Sequence, residues 1–476
     1  MRKLLARLDW SYFYALLGEA TLGLTLIFQI FIGRLLGLQD YELFAAASAL
    51  GAILALLIQF GLPVLLNREV AANPEEGAQS TIQYLLLELL TSLPVLLILF
   101  PLARLLKYEG NGILICYIVV FSEICRAMKM TLRGVLRGRG WFRGETVSVA
   151  LERSATVLVA GAVLVLTRNV VWLVVAIVVV RSLDIVGLVY YLSRRLRLWS
   201  PITPGHFLET LKIAYPFAVS GVLWILYYQV DVVMLKAMAP AGEAGAYSAS
   251  YRIMEMFFAL PRVVFYVAFT RFAKCYANDP GRLPEQLYKS TRLLLGVVLP
   301  VVVVAGTFQN ILVQIFGDEF ADLSIKSLTI LLPSLGISMF GNLSHRFLQA
   351  TGKEKSLPPI LSITTASNMG LNALLIPDFG GMGAAIATVS SEAILCIQGM
   401  SLIMRMGYQH VGKRLLVISL LSLATASCPS LIWNGLSPTI GIGIMIVGLV
   451  SLLFLMLPSQ FLSGDRSDSP SDSDGV

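Results

Sequence analysis

Charge is scarce in this chain. Asp, Glu, Lys and Arg make up only 14% of its 476 residues, against about 25% in a soluble globular protein. That shortfall argues against an ordinary water-soluble domain. Histidine is rarer still: His206, His345 and His410 stand alone, without metal-ligand spacing. The five cysteines (Cys116, Cys125, Cys275, Cys396 and Cys428) lack such spacing too and sit in apolar or inner-side segments, so they read as reduced packing residues. No Gly-rich loop precedes a Lys-Ser or Lys-Thr pair, which excludes an ATPase motor. No Ser/His/Asp arrangement can be argued from spacing. No loop is long enough for the catalytic loop of a membrane glycosyltransferase. An enzyme is therefore not expected, and neither is a metal centre or another cofactor. No small-residue cleavage site follows the first apolar segment, so that segment reads as a retained span.

Apolar stretches of about 20 residues, enough to cross a bilayer as a helix, recur from end to end. Fourteen are expected: 12–32, 41–65, 82–102, 113–132, 147–167, 170–192, 213–235, 246–270, 293–315, 328–348, 360–376, 382–404, 415–433 and 440–457. The loops between them are alternately rich and poor in Lys and Arg. With the N-terminus inside, 26 of the 36 basic residues fall on the inner side, 6 on the outer side and 4 within spans. The positive-inside rule then makes both termini cytoplasmic and the protein multi-pass in the cell membrane. The net charge of +7 is topology, not a nucleic-acid footprint. Residues 463–476, rich in Ser and Asp, read as a disordered acidic tail.

Two blocks open equivalent helices. Gly37 to Ala45 precedes the second span and Ala241 to Ala249 the eighth. An offset of 203 residues lays Phe44 on Tyr247, Ala46 on Ala249 and Arg68 on Arg271. Six crossings separate the blocks, so the halves share one orientation, as in transporters built from parallel repeats.

Several runs carry a family resemblance. Gly33-Arg34-Leu35-Leu36-Gly37, Gly61-Leu62-Pro63 and Asn67-Arg68-Glu69 are similar to the opening of polysaccharide-transport proteins, the Wzx-type oligosaccharide flippases of the MOP (MATE-like) superfamily. Gln229 to Leu235, then Gly245 to Arg252, resembles the start of that family's second half. Asn368 to Asn372, Leu375-Ile376-Pro377, Gly380 and Gly383-Ala384-Ala385 add to it. The resemblance implies an all-α polytopic protein: a six-helix bundle over 1–195, a second over 196–405, a central cavity between them and two additional helices over 406–462. It also implies movement of a polyprenyl-pyrophosphate-linked oligosaccharide from the inner to the outer leaflet. H+ or Na+ would be the coupling ion, and glycan polymerisation or glycosyltransferase proteins would be partners. A cation-coupled exporter of small molecules and a lipid II flippase share the architecture and stay open as alternatives.

A charge at bilayer depth costs at least about 2.5 kcal/mol, so each one needs a partner, water or a purpose. Arg252, Glu255 and Arg262 fall at i, i+3 and i+10 of the eighth span, one helical face. On the fourth, Glu123, Arg126, Arg133 and Arg137 form a second stripe. An anionic lipid pyrophosphate suits guanidinium forks. Arg252 and Arg262 are therefore the headgroup candidates, with Glu255 beside them and with Arg126 and Arg133 at an inner-leaflet approach. A structural role stays open, since Glu255 can neutralise one arginine locally. Arg181 and Asp184, also i and i+3, read as a structural intrahelical pair. Glu19 has no basic residue within a turn, and with Asp231 it is a coupling-ion candidate. Asp231 can instead pair with Lys236 at the outer surface.

Overall fold

The computed structural model describes residues 10–199 and 204–433, with side chains from residue 23 onward at most of those positions. The described residues form helices and no strand. The helices are α1 (Trp10–Gln59), α2 (Leu62–Ala72), α3 (Pro74–Gln79), α4 (Thr81–Leu105) and α5 (Asn111–Gly138). There follow α6 (Phe142–Ala155), a π turn (Thr156–Ala160), α7 (Gly161–Thr167) and α8 (Val170–Ser193). The second half has α9 (Pro204–Met238), α10 (Glu243–Asn278), α11 (Leu283–Thr307), α12 (Gln309–Gln314), α13 (Ala321–Ala350), α14 (Leu357–Arg405) and α15 (Gln409–Trp433). The expected span 440–457 and the tail 463–476 lie outside the described residues.

Among the described residues, eight helical stretches are long and apolar enough to cross a membrane by length and composition. Their outward faces are greasy: Leu97 is 78% exposed and Leu166 84%. Apolar surface of that extent belongs against lipid, not water. The protein is an integral membrane protein.

Two expected loops are absent. The first and second spans run on as α1, broken only at Gly37 (φ 77°, ψ 176°). The eleventh and twelfth run on as α14, broken only at Gly380 (φ 53°, ψ −133°). A positive φ is cheap for glycine, so one residue breaks the helix where a loop was expected. Each break starts a new helix with unpaired N–H groups, and a carboxylate from another helix meets them. Glu319 accepts from the Leu38 N–H at 3.2 Å, and Glu243 from the Gly381 N–H at 2.8 Å. At the start of α10, Glu42 accepts from the Gly242 N–H and, at 2.8 Å, from Lys236 Nζ.

The chain divides into two compact units. The first takes the chain up to Ala259 with Phe308–Leu331 and Lys355–Leu395; the second takes Leu260–Thr307, Leu332–Glu354 and the chain from Cys396. Within the first, α5 is the central element, packed against α1, α2, α4 and α8. An apolar cluster built on Leu62, Leu66, Val70, Leu132, Leu136 and Leu192 holds one end of these helices together. Above that end, α5 turns a charged stripe toward α6 and α8.

Candidate functional site

That stripe is a buried ionic network. Glu123 on α5 pairs with Arg126 on its own helix and, at 2.9 Å, with Arg181 on α8. Arg181 also donates to Ser122 Oγ at 2.9 Å. Lys129 pairs with Glu152 on α6. Arg133 donates to Asp184 Oδ2 at 2.7 Å, to Ser148 Oγ at 3.0 Å and to Glu152 Oε2 at 3.2 Å. Four cations thus face three carboxylates (Glu123, Glu152 and Asp184), and the network carries a surplus of positive charge. Exposure grades along it: the Arg133 side chain is 5% exposed, Arg181 19% and Arg126 29%. Arg133, whose Nε and Nη2 donate to protein oxygens, is an anchor. Arg126 and Arg181 are the cations an incoming anion can reach.

Arg181 and Asp184 do not pair with each other; each finds its partner on α5, which corrects the intrahelical reading. On a membrane helix, an i, i+3 partner lies on the same face, and a neighbouring helix packed on that face offers a drier, more constrained alternative.

The second cluster lies where α9, α10 and both arms of α14 meet in the first unit. Asp231 is 3% exposed. Its carboxylate accepts from Tyr247 Oη at 2.7 Å, Asn372 Nδ2 at 2.6 Å and Thr388 Oγ1 at 2.8 Å. Asn372 Nδ2 also donates to Asn368 Oδ1 at 3.0 Å. Lys236 does not reach Asp231; it is drawn to Glu42. The surface ion pair considered from the sequence is therefore replaced by a buried carboxylate held by neutral donors. Asn372 Oδ1 is buried without a hydrogen-bond partner. Carboxylate, amide and hydroxyl oxygens suit a hard cation or a proton. Among the described residues no group of three or more His, Cys, Asp and Glu could hold a metal ion.

On α10, Arg252 Nη1 donates to Glu255 Oε2 at 2.6 Å, and each side chain is 31% exposed. The pair is half-buried and open on one side. Arg262 follows Pro261 on the same helix; it is exposed and belongs to the second compact unit. Glu19 lies on α1, but its side chain is outside the described residues.

With this geometry in view, the comparisons with known proteins are specific. The polysaccharide biosynthesis protein family matches residues 10–273, more than half of the chain. The chain belongs to that family. The MatE family matches residues 216–377. A probable low-salt glycan biosynthesis flippase, Agl15 of Haloferax volcanii, is 23% identical over 380 residues, 78% of each chain. The structure of the lipid II flippase MurJ in an inward closed conformation superposes with a TM-score of 0.71 at 13% identity, covering 95% of this chain and 99% of that one. An inward-facing MATE family multidrug resistance transporter of the MOP superfamily gives 0.65 at 15% identity, covering 82% and 95%. The fold of this polysaccharide biosynthesis family member is that of the MOP superfamily.

Four participants in these two clusters escaped the sequence reading. Lys129 was counted as a topology signal, although it sits three residues from Arg126 and four from Arg133, on the same stripe. Ser148 has no signal of its own. Asn372 and Thr388 lie 141 and 157 residues from Asp231, and no local pattern links them.

Proposed function

We propose that this protein moves a polyprenyl-pyrophosphate-linked oligosaccharide from the inner to the outer leaflet of the cell membrane by alternating access. The observation that carries the reading is the cation surplus of the α5–α6–α8 network, whose α6 and α8 belong to stretches long and apolar enough to cross a membrane. An anionic pyrophosphate has reason to approach such a site, and a cationic drug does not. Family membership and the glycan flippase relative support the same direction. Arg126, with Arg133 anchoring the network behind it, receives the headgroup at the inner leaflet. Arg252 and Arg262 hold it in transit, and Glu255 competes with the phosphate for Arg252. The sugars ride in the polar interior while the prenyl chain stays in lipid. Lipid II is a lipid pyrophosphate of the same class, so a peptide-bearing headgroup is the second reading.

The fold reading that goes with this is two six-helix bundles, over 1–195 and 196–405, followed by helices over 406–462, with both termini cytoplasmic. Glycosyltransferases or glycan polymerisation proteins would supply and consume the cargo. Asp231 is the coupling-ion residue, binding H+ or Na+. Glu19 is a second candidate on the other half. The oxygen-only surroundings of Asp231 and the unpartnered Asn372 Oδ1 support a hard cation there. A bound cation would supply the charge that Asp231 lacks from any basic side chain among its hydrogen-bond partners, Tyr247, Asn372 and Thr388.

The test is reconstitution. In proteoliposomes, a fluorescent polyprenyl-pyrophosphate oligosaccharide should become accessible to an external reagent faster than the bare-liposome rate. An equal rate for the same prenyl chain carrying a neutral headgroup would refute the proposed role of charge.

A further inference from the structure

Asp231 is not the only buried acid in its column. Asp231 and Tyr227 are four residues apart on α9, and Thr388 and Glu392 are four apart on α14, so each pair stacks along one helix face. Thr388 hydrogen-bonds Asp231 at 2.8 Å. One turn away, the Tyr227 hydroxyl lies beside the Glu392 carboxyl. Both side chains are buried, and apart from each other Tyr227 Oη and Glu392 Oε2 have no hydrogen-bond partner. In the same column Asn372 Oδ1 is also buried without a partner. Leaving buried polar atoms short of partners is costly, so such oxygens gathered in one place ask for a ligand that coordinates oxygen. Tyrosines line both rungs: Tyr228 packs on Tyr227 at 5.1 Å between ring centres, and Tyr251 packs on Tyr247 at 6.0 Å.

We propose that Tyr227 and Glu392 form a second cation station, one helical turn inward of Asp231, so that the ion path along the α9–α14 interface has two carboxyl rungs. This rests on the reading of Asp231 as the coupling-ion residue and extends it to a residue on another helix. The upper rung offers Asp231, Thr388, Tyr247 and Asn372; the lower offers Glu392 and Tyr227. A monovalent cation moving between them keeps a carboxylate in reach throughout. The charges are close enough to matter. At a separation of about one helical pitch, ~5.4 Å, and an effective dielectric of about 20, a carboxylate on one rung changes cation affinity at the other by on the order of 100-fold.

The experiment measures binding of Na+ alone to the purified full-length chain in detergent, as saturable 22Na+ uptake by equilibrium dialysis. The wild-type chain should bind Na+ saturably, and Asp231→Asn should abolish this. Glu392→Gln should weaken it 10- to 100-fold, and Glu392→Asp should restore most of it. Tyr227→Phe, a milder change, should weaken it less. If Glu392→Gln unfolds the protein, Glu392→Asp and Tyr227→Phe carry the test. Wild-type affinity in every Glu392 and Tyr227 variant, with binding lost in Asp231→Asn, overturns the second station and leaves the first intact. Absence of saturable binding in the wild-type chain, or full binding in Asp231→Asn, overturns the reading of Asp231 as a Na+ site and the second station with it.

Discussion

Arg133→Leu should be among the more damaging single changes in the α5–α6–α8 network. The Arg133 guanidinium is nearly sealed off and bonds Asp184, Glu152 and Ser148. Its loss leaves Glu152 with Lys129 but leaves Asp184 with only the Ser148 hydroxyl, 2.9 Å away. A buried charge stripped of its partner costs about 3–5 kcal/mol. Neutralising the orphan should recover part of that cost. The double variant Arg133→Leu with Asp184→Asn should be more stable than the sum of its single changes by about 1–3 kcal/mol. The assay is a double-mutant cycle on the purified protein in detergent micelles, followed by thermal or denaturant unfolding. Strictly additive changes, within about 0.5 kcal/mol, would show that the two groups do not depend on each other. So would an Arg133→Leu protein as stable as wild type. Transport by the same double variant adds a second readout. If Arg133 serves the inner-leaflet approach as anchor for the network, flipping should fall even where stability returns.

Three further outcomes are expected. Arg252→Ala and Arg262→Ala should each abolish flipping while leaving folded yield unchanged; normal flipping by both would contradict the headgroup assignment. Glu19→Gln should remove the dependence of flipping on an imposed ion gradient, and an unaltered gradient response would rule that role out. Glu243→Gln should cost about 1 kcal/mol by weakening the charge at the helix start beyond Gly380. Hydrogen exchange should then quicken at Gly381 and its neighbours, and unchanged protection there would count against the cap.

Much of the architecture could be read from the chain because membranes impose few choices. Apolar length and the placement of Lys and Arg mark spans without reference to tertiary contacts. Gly37 and Gly380 were visible near two predicted turns, but a single residue in place of a loop was not. That outcome depends on Glu319 and Glu243, 281 and 138 residues from the backbone groups they cap. The Arg252–Glu255 pair was legible because i, i+3 neighbours on one helix meet whatever the fold. The same rule misled at Arg181 and Asp184, whose partners are set by helix packing. Asp231 drew notice as an intramembrane acid, yet Tyr247, Asn372 and Thr388 come together only in the folded chain.

Arginines of the α5–α6–α8 network and of α10 are proposed to recognise a lipid pyrophosphate. This recognition is tested most directly by equilibrium binding of polyprenyl pyrophosphate and of the corresponding polyprenyl alcohol to the purified protein, compared across wild type, Arg126→Ala and Arg252→Ala. The pyrophosphate should bind at least about 10-fold more tightly than the alcohol, a margin of about 1.4 kcal/mol, and each arginine variant should narrow it. Equal affinity for the two lipids, or a preference that survives in both variants, would contradict the proposed recognition.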